Sequence, residues 1–537
     1  MTTVATVSRP VSTATPVHDE EHPNKYVVSM AVIFGVLMSA IDTSVVNVAL
    51  PQIQGNVGAT QQEVTWISTG YMISVVILMP LTNWLSVRFG RKNVYLTSLA
   101  VFVFSSLMCG MSHTLSELIF WRVIQGFGAG TLQPLAQAIF REAFPPEEQG
   151  VAMGIFGFVV LFGPAIGPTL GGYITDNYSW PWIFFINLPI GVIGFLVAAR
   201  YLYDPPYMKG GQRRKVDAVG IGLLAIGLAS MQTVLEQGQT EDWFNSNAII
   251  AGTVVSIVTL IAFLWWEMRI DDPAVDLRVL KDPTFFSGTI IGGILGLGLF
   301  ASLFLLPQYM QTLLGFTATQ SGLSLMPRSL VMMLAMPVAG ALYNRLGPKV
   351  MIGAGLLLTI YSQYQMAQFT LETGAQDILW PQILQGIGFG FVFVALSTVA
   401  LANIAPARMT SATGLNNLIR QLGGSFGTTI VVTILTRQND VARSSLVPDL
   451  QASNPAFLVR LRGIQGLFVH NGYGVQAAHD AALRLLNLLL VRQTFMLAYE
   501  YVFICIGVLF TICLPLIFVL HQPKHAPIPS QHAAVEA

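Results

Sequence analysis

Long apolar stretches, each closed by a short polar break, recur along the chain from Tyr26 to about residue 520. Crossing a hydrocarbon core of about 30 Å takes roughly 20 apolar residues in helical form, since a backbone without water must bond to itself. Stretches that meet this test begin near Tyr26, Val64, Val94, Leu115, Gly150, Trp182, Val216, Ala248, Thr284, Gln320, Lys349, Asp377, Thr410 and Thr494, about fourteen in all. The pattern predicts an all-α polytopic membrane protein. Residues 436–492 interrupt it. There Phe457, Leu461, Ile464 and Phe468 share one helical face and Leu483, Leu486 and Leu490 another, with NGYG (471–474) as the turn between them. A projecting amphipathic helical hairpin is expected, whose apolar faces are free to lie on the membrane.

Charge orients the spans. An even count puts both termini on one side, and that side collects Arg9, Lys25, Arg88, Arg91, Lys92, Lys209, the run Arg213 to Lys215, Arg345, Lys349, Arg408 and Lys524. The six short loops opposite hold neither Lys nor Arg. By the positive-inside rule both termini are cytoplasmic; the arginines of 436–492 do not disturb this, because the rule is weak for a loop of that length.

The chain also repeats itself. WRVIQGFGAG (121–130) aligns with PQILQGIGFG (381–390), and the same shift of about 260 pairs Pro146 with Pro406, Gly154 with Gly414, Gly163 with Gly423 and Gly167 with Gly427. Parallel repeats mark transporters built as two halves with the substrate between them. The expected organisation is a disordered cytoplasmic tail (1–25), a six-helix bundle (26–203), cytoplasmic loops with two linker helices (204–283), a second six-helix bundle that includes the 436–492 hairpin (284–520), and a cytoplasmic tail (521–537).

Composition narrows the chemistry. Of 537 residues 53% are hydrophobic and 10% charged, against about 25% charged in soluble domains. The 27 basic and 27 acidic residues balance, so nothing points to nucleic acid. Cys109, Cys505 and Cys513 sit singly in apolar runs, without disulfide or metal spacing. QGFGAG lies inside an apolar span with no strand before it, which rules out a nucleotide loop. With no metal cluster, nucleophile triad or ATP-binding module, the energy for transport falls to an ion gradient and no cofactor is expected.

Charges inside the membrane cost about 2.5–3.5 kcal/mol each on insertion scales and so mark function. Asp42 is the one acid well inside a span of the first half, and Arg122 the one base. Asp42 precedes the outer end of its span at Pro51 by nine residues, and Arg122 follows the outer end of its own at His113 by nine. Both therefore lie roughly 13 Å deep and can pair, either as an exchangeable proton site or as a static ion pair that fixes packing. Arg328, Arg420 and Glu500 are charged positions of the second half; Glu500 is a further proton-coupling candidate, though it and Arg328 are shallow enough to snorkel. Asn47, Gln133, Gln137, Gln308, Gln311, Asn416, Asn417 and Arg420 are candidates for a cavity otherwise apolar. So few buried acids favour neutral or weakly acidic lipophiles over dicationic dyes.

Two motifs concern movement. Gly163, Gly167 and Gly171 recur every four residues on one face of the fifth span, followed by Pro164 and Pro168, so a close helix contact lies beside a bend and makes a pivot between the halves. Arg88, Gly90, Arg91 and Lys92 at the inner face either clamp helix ends or serve only as a topology signal.

These segments resemble the EmrB/QacA branch of the major facilitator superfamily. IDTSVVNVALP (41–51) is similar to that branch's first-span signature, WRVIQG (121–126) to its fourth-span motif, residues 154–172 to its antiporter motif and WPWIFFINLPIG (180–191) to its sixth-span signature. The chain departs from the superfamily at Asn83 and Val87, where Gly and Asp are usual, so the clamp attributed to that aspartate does not carry over. The resemblance implies a major facilitator fold with fourteen spans and drug:proton antiport in which Arg122 serves proton coupling. It also implies a Gram-negative inner membrane, with the hairpin docking an EmrA-like periplasmic adaptor linked to a TolC-type outer-membrane channel. Export of lipids or metabolites, or import, are the alternatives on the same fold.

Overall fold

The structure is a computed structural model that describes residues 24–204, 216–270, 272–451 and 453–520. Most of the expected tails (with Arg9 and Lys524) and the basic run through Lys209, Arg213, Arg214 and Lys215 lie outside the described residues. The first bundle comprises α1 (Lys25–Val57), α2 (Gln61–Phe89), α3 (Arg91–Met111), α4 (Leu115–Ala143), α5 (Gln149–Asn177), the single turn α6 (Trp182–Phe185) and α7 (Asn187–Tyr201). Two helices follow, α8 (Ala218–Gln237) and α9 (Asn247–Glu267), packed on each other and, through α8, on α2 and α14. The second bundle comprises α10 (Pro283–Thr312), α11 (Ala318–Leu346), α12 (Pro348–Met366), α13 (Ala375–Ala400), α14 (Met409–Leu446) and α16 (Val475–Cys513), with α15 (Pro455–His470) outside it.

Twelve of the described helical segments are long and apolar enough to cross a membrane. The helices α4 and α12 fall outside that set, diluted by polar residues such as Arg122, Gln125 and Gln133 in the one and Ser362, Gln363 and Gln365 in the other, yet both pack among the rest. The set is consistent with the fourteen expected. Helix starts match the apolar pattern closely except at the last span. There α16 begins at Val475 rather than Thr494, because the hairpin's second arm runs into the span without a break. Helix α15 covers that arm: Leu461, Ala482 and Leu486 are buried with Phe457, Ile464 and Phe468 around them. Each buried Leu contributes about 1.5–3 kcal/mol, which holds the hairpin shut on itself.

The repeat is visible in packing. The contact of α1 with α5 recurs as α10 with α14, and that of α2 with α4 as α11 with α13. Between the bundles α5 meets α11 and α14 meets α2. The aligned glycines Gly154 and Gly414 make these crossings: a Cβ on Gly154 would stand 2.7 Å from Met336 O, and one on Gly414 2.6 Å from Met79 O. Gly163, Gly167 and Gly171 do something else. They face Ala40, Ser44 and Val45 of α1, in the same bundle, as Gly423 and Gly427 face Gly293 and Leu297. The close approach that their spacing permits thus ties α5 to α1. The contact between halves is made nearer the start of α5, by Gly150, Gly154 and Gly157.

The bundles touch at the end of the molecule where Arg88, Arg91, Lys92, Arg345 and Lys349 cluster. There Gly150 lies against Gly340, Asn344 Nδ2 donates to Glu147 O at 2.5 Å, Thr413 Oγ1 donates to Pro134 O at 3.0 Å, and Asn417 Nδ2 donates to Gln137 Oε1 at 2.6 Å. Beyond this seal, toward the hairpin end, a cavity opens between the halves.

Candidate functional site

Helix periodicity splits the first span into two faces. Ser39, Thr43 and Asn47, four apart, line the cavity, while Asp42 turns into the bundle and is fully buried. Arg122 on α4, 1% exposed, donates from Nη1 to Asp42 Oδ2 at 2.7 Å and to Gln125 Oε1 at 2.7 Å. Its Nε donates to Ile67 O at 3.3 Å, and its guanidinium stacks over the Tyr71 ring at 4.1 Å. Asp42 Oδ1 takes Gln125 Nε2 and Asn187 Nδ2, both at 3.0 Å. The carboxylate thus meets one guanidinium N–H and two amide donors, the pairing that a buried charged group requires. Asn187 owes its place to the break between α6 and α7, and also donates to Ser106 Oγ at 3.1 Å. Its Oδ1 is buried without a partner, an opening in an otherwise closed network.

Tyr71 divides this network from the cavity: it lines the cavity wall and covers Arg122 on the other side. The cavity measures about 540 Å³. Its wall is aromatic and thioether-rich, with Phe300, Phe304, Phe389, Phe393, Met72, Met79 and Met332, surfaces that accept many shapes. Among the described residues Arg420 is the single charged side chain on it, held by a hydrogen bond to Asn417 and lying 5.0 Å from the Phe393 ring centre. No acid lines it.

The predicted cavity residues sort themselves by this geometry. Asn47, Gln133, Asn417 and Arg420 line the cavity. Gln137 lies beneath it in the seal with Asn417. Asn416 borders a small crevice beside Arg420, and Gln308 and Gln311 stand off the lining. Helical spacing from sequence marked a polar stretch without its rotation, which is what separates them. Glu500, partly exposed on α16 in the second bundle, is not brought to Asp42. Of the antiporter motif, Pro164 lines the cavity; the Pro168 side chain lies outside what is described.

The loop motif is built into the seal. Gly90 has φ 86°, a conformation that disfavours a side chain, and a Cβ there would stand 2.9 Å from Asp204 Oδ2. Arg91, 2% exposed, makes a two-pronged bond to Glu142 of α4 at 2.7 and 3.0 Å and reaches Thr410 Oγ1 of α14 at 3.3 Å. Asp204 accepts the Lys92 amide at 2.8 Å. Arg88 lies 5.7 Å from the centres of the Trp84 and Phe89 rings. A clamp therefore exists without an aspartate at Val87, its acids supplied by Glu142 and Asp204. Both were missed by sequence reasoning, as were Asn187, Ser106 and Tyr71. A buried amide inside an apolar span was the signal available for Asn187.

Residues 32–428 match the model of the Major Facilitator Superfamily. The multidrug export protein EmrB of Escherichia coli K12 is 35% identical over 443 residues, 82% of this chain and 86% of that one. The fatty acid resistance protein FarB of Neisseria gonorrhoeae is 29% identical over 499 residues, 93% of this chain and 96% of that one. Among solved structures, the human organic anion transporter MFSD10 superposes with a TM-score of 0.61 at 14% identity, over 92% of this chain and all (100%) of that one. The proton:xylose symporter XylE has the same TM-score of 0.61 at 13% identity, over 92% and 95%.

Proposed function

The chain belongs to the EmrB-like branch of the major facilitator superfamily, and on that footing we propose that it exports lipophilic small molecules in exchange for protons by alternating access. It is a multi-pass secondary transporter of the inner membrane, not an enzyme. The observation that carries the reading is the buried Asp42–Arg122 pair at 2.7 Å, one aromatic ring away from an apolar cavity between the halves. With the basic end in the cytoplasm, the sealed end faces inward and the cavity faces the periplasm. In this state Asp42 is bound by Arg122, Gln125 and Asn187. Movement of α4 or of Tyr71 removes the guanidinium, the isolated carboxylate takes a proton, and the seal then reopens with the proton carried inward. Gly163, Gly167 and Gly171 keep α1 and α5 moving as one body, so Asp42 travels with the gate helix.

Substrate preference follows from the wall. A lone Arg420 without an acid favours neutral or weakly acidic lipophiles over dications, in keeping with relatives named for multidrug export and fatty acid resistance. The resemblance to EmrB supports a tripartite assembly, in which the α15–α16 hairpin meets an EmrA-like periplasmic adaptor that leads to a TolC-type channel.

Substrate-driven proton movement in proteoliposomes tests this. A lipophilic weak acid should drive proton flux in the wild type, and Asp42→Asn should abolish flux while retaining substrate exchange. Undiminished proton flux in Asp42→Asn sinks the assignment.

A further inference from the structure

The second bundle holds a buried cation for which the described residues supply no anion. Arg328 of α11 is 1% exposed. Its Nη1 donates to Ser302 Oγ of α10 and to Gln385 Oε1 of α13, both at 3.2 Å. The Ser302 hydroxyl donates to that same Gln385 oxygen, again at 3.2 Å. One amide oxygen therefore serves two donors, while Arg328 Nη2 and Gln385 Nε2 are buried with no partner. No carboxylate among the described residues lies in ion-pair range of Arg328. Turning the Gln385 amide over would set its NH₂ against the guanidinium, so no reassignment of that group removes the excess.

The repeat shows what is missing. The shift of about 260 residues that aligns the halves sets Ser302 where the first bundle has Asp42, and Gln385 where it has Gln125. In the first bundle two carboxylate oxygens absorb a guanidinium and two amides. In the second a hydroxyl stands in that place, giving one oxygen and no charge. Donors exceed acceptors, and positive charge exceeds negative by one. Arginine cannot relieve this by losing its proton, and an uncompensated buried charge is expensive.

We propose that this centre binds a small monovalent inorganic anion, such as chloride, on Arg328 Nη2 and Gln385 Nε2. One charge fits because one is uncompensated. The anion is small because Arg328 is enclosed and lies off the lining of the main cavity. It takes the electrostatic place in the second half that Asp42 holds in the first, and locks α10, α11 and α13 together as Asp42 locks α1, α4 and α7. The site stands independently of the transport reading.

Thermal unfolding of the purified full chain tests it, at fixed ionic strength, as gluconate is replaced by chloride. A specific ion that binds the folded state raises the midpoint saturably. The wild type should gain a few degrees and plateau. Ser302→Asp, which supplies the carboxylate that the second half lacks, should melt in gluconate as the wild type does in chloride, with no further gain. Arg328→Met should also lose the response, and because it removes the charge it should fold in gluconate at least as well as the wild type. A wild type that melts alike in the two salts overturns the proposal. So does a chloride response that persists in both variants, since the ion would then act elsewhere.

Discussion

The two halves of this molecule solve the same packing problem with different electrostatics. Each buries an arginine beside a glutamine of the fourth helix of its bundle; the glutamines, Gln125 and Gln385, are aligned in the repeat, while Arg122 lies on α4 and Arg328 on α11. The first sets Arg122 against Asp42 at 2.7 Å and fills both carboxylate oxygens. The second sets Arg328 against a hydroxyl and an amide oxygen at 3.2 Å and leaves two donors empty. A pair can exist in two protonation states and a lone arginine in one. On the proposed mechanism, proton coupling belongs to the first half, and the second is the partner against which it moves. Duplication supplied the scaffold; Ser302 in place of Asp42, and an arginine on α11 rather than on α4, distinguish the two centres.

The largest effects should come from breaking the switch. Arg122→Ala strands a fully buried carboxylate and should destabilise the fold by about 3–5 kcal/mol, read as a large fall in melting midpoint. Adding Asp42→Asn to it should recover much of that loss, because the stranded charge disappears. Arg328→Met should show the opposite sign in chloride-free buffer, unchanged or higher. Equal losses at Arg122 and Arg328 would erase the contrast. A smaller effect concerns the seal: Arg91→Lys keeps the charge but loses the two-pronged bond to Glu142. It should shift the equilibrium away from the cytoplasm-closed form by about tenfold or less, measured by accessibility of a cysteine introduced at Thr413, which is buried in the seal.

Much of this was legible in the chain. Apolar spacing located the helices, and depth arithmetic paired Asp42 with Arg122, because a straight helix turns residue number into height. The internal repeat paired Gly154 with Gly414, and the fold sets both at crossings between the halves. What escaped depends on rotation and on distant partners. Four-residue spacing announced that Gly163, Gly167 and Gly171 face a helix, yet not that the helix is α1 of their own bundle. The substitution at Val87 suggested a lost clamp, while its acids come from Glu142, about fifty residues on, and Asp204, more than a hundred on. Asn187 sits in a quoted motif, but only the kink between α6 and α7 aims it at Asp42.

The finest contrast between the halves lies on the cavity wall itself. The first half contributes Asn47, Gln133 and hydroxyls such as Ser39 and Thr43, all neutral; the second contributes Arg420. An anionic substrate head should therefore lean toward the second half, with its apolar body against Phe300 and Phe304. Arg420→Gln keeps a hydrogen-bonding group there and removes the charge. Transport of a lipophilic carboxylate should weaken by roughly tenfold in KM, the scale of one partly solvated charge contact, while a neutral lipophile of the same shape should change little. Measuring both in one proteoliposome preparation cancels any loss of folded protein. If the two substrates weaken together, Arg420 shapes the wall by packing on Phe393, and the charge asymmetry of the cavity has no part in selection.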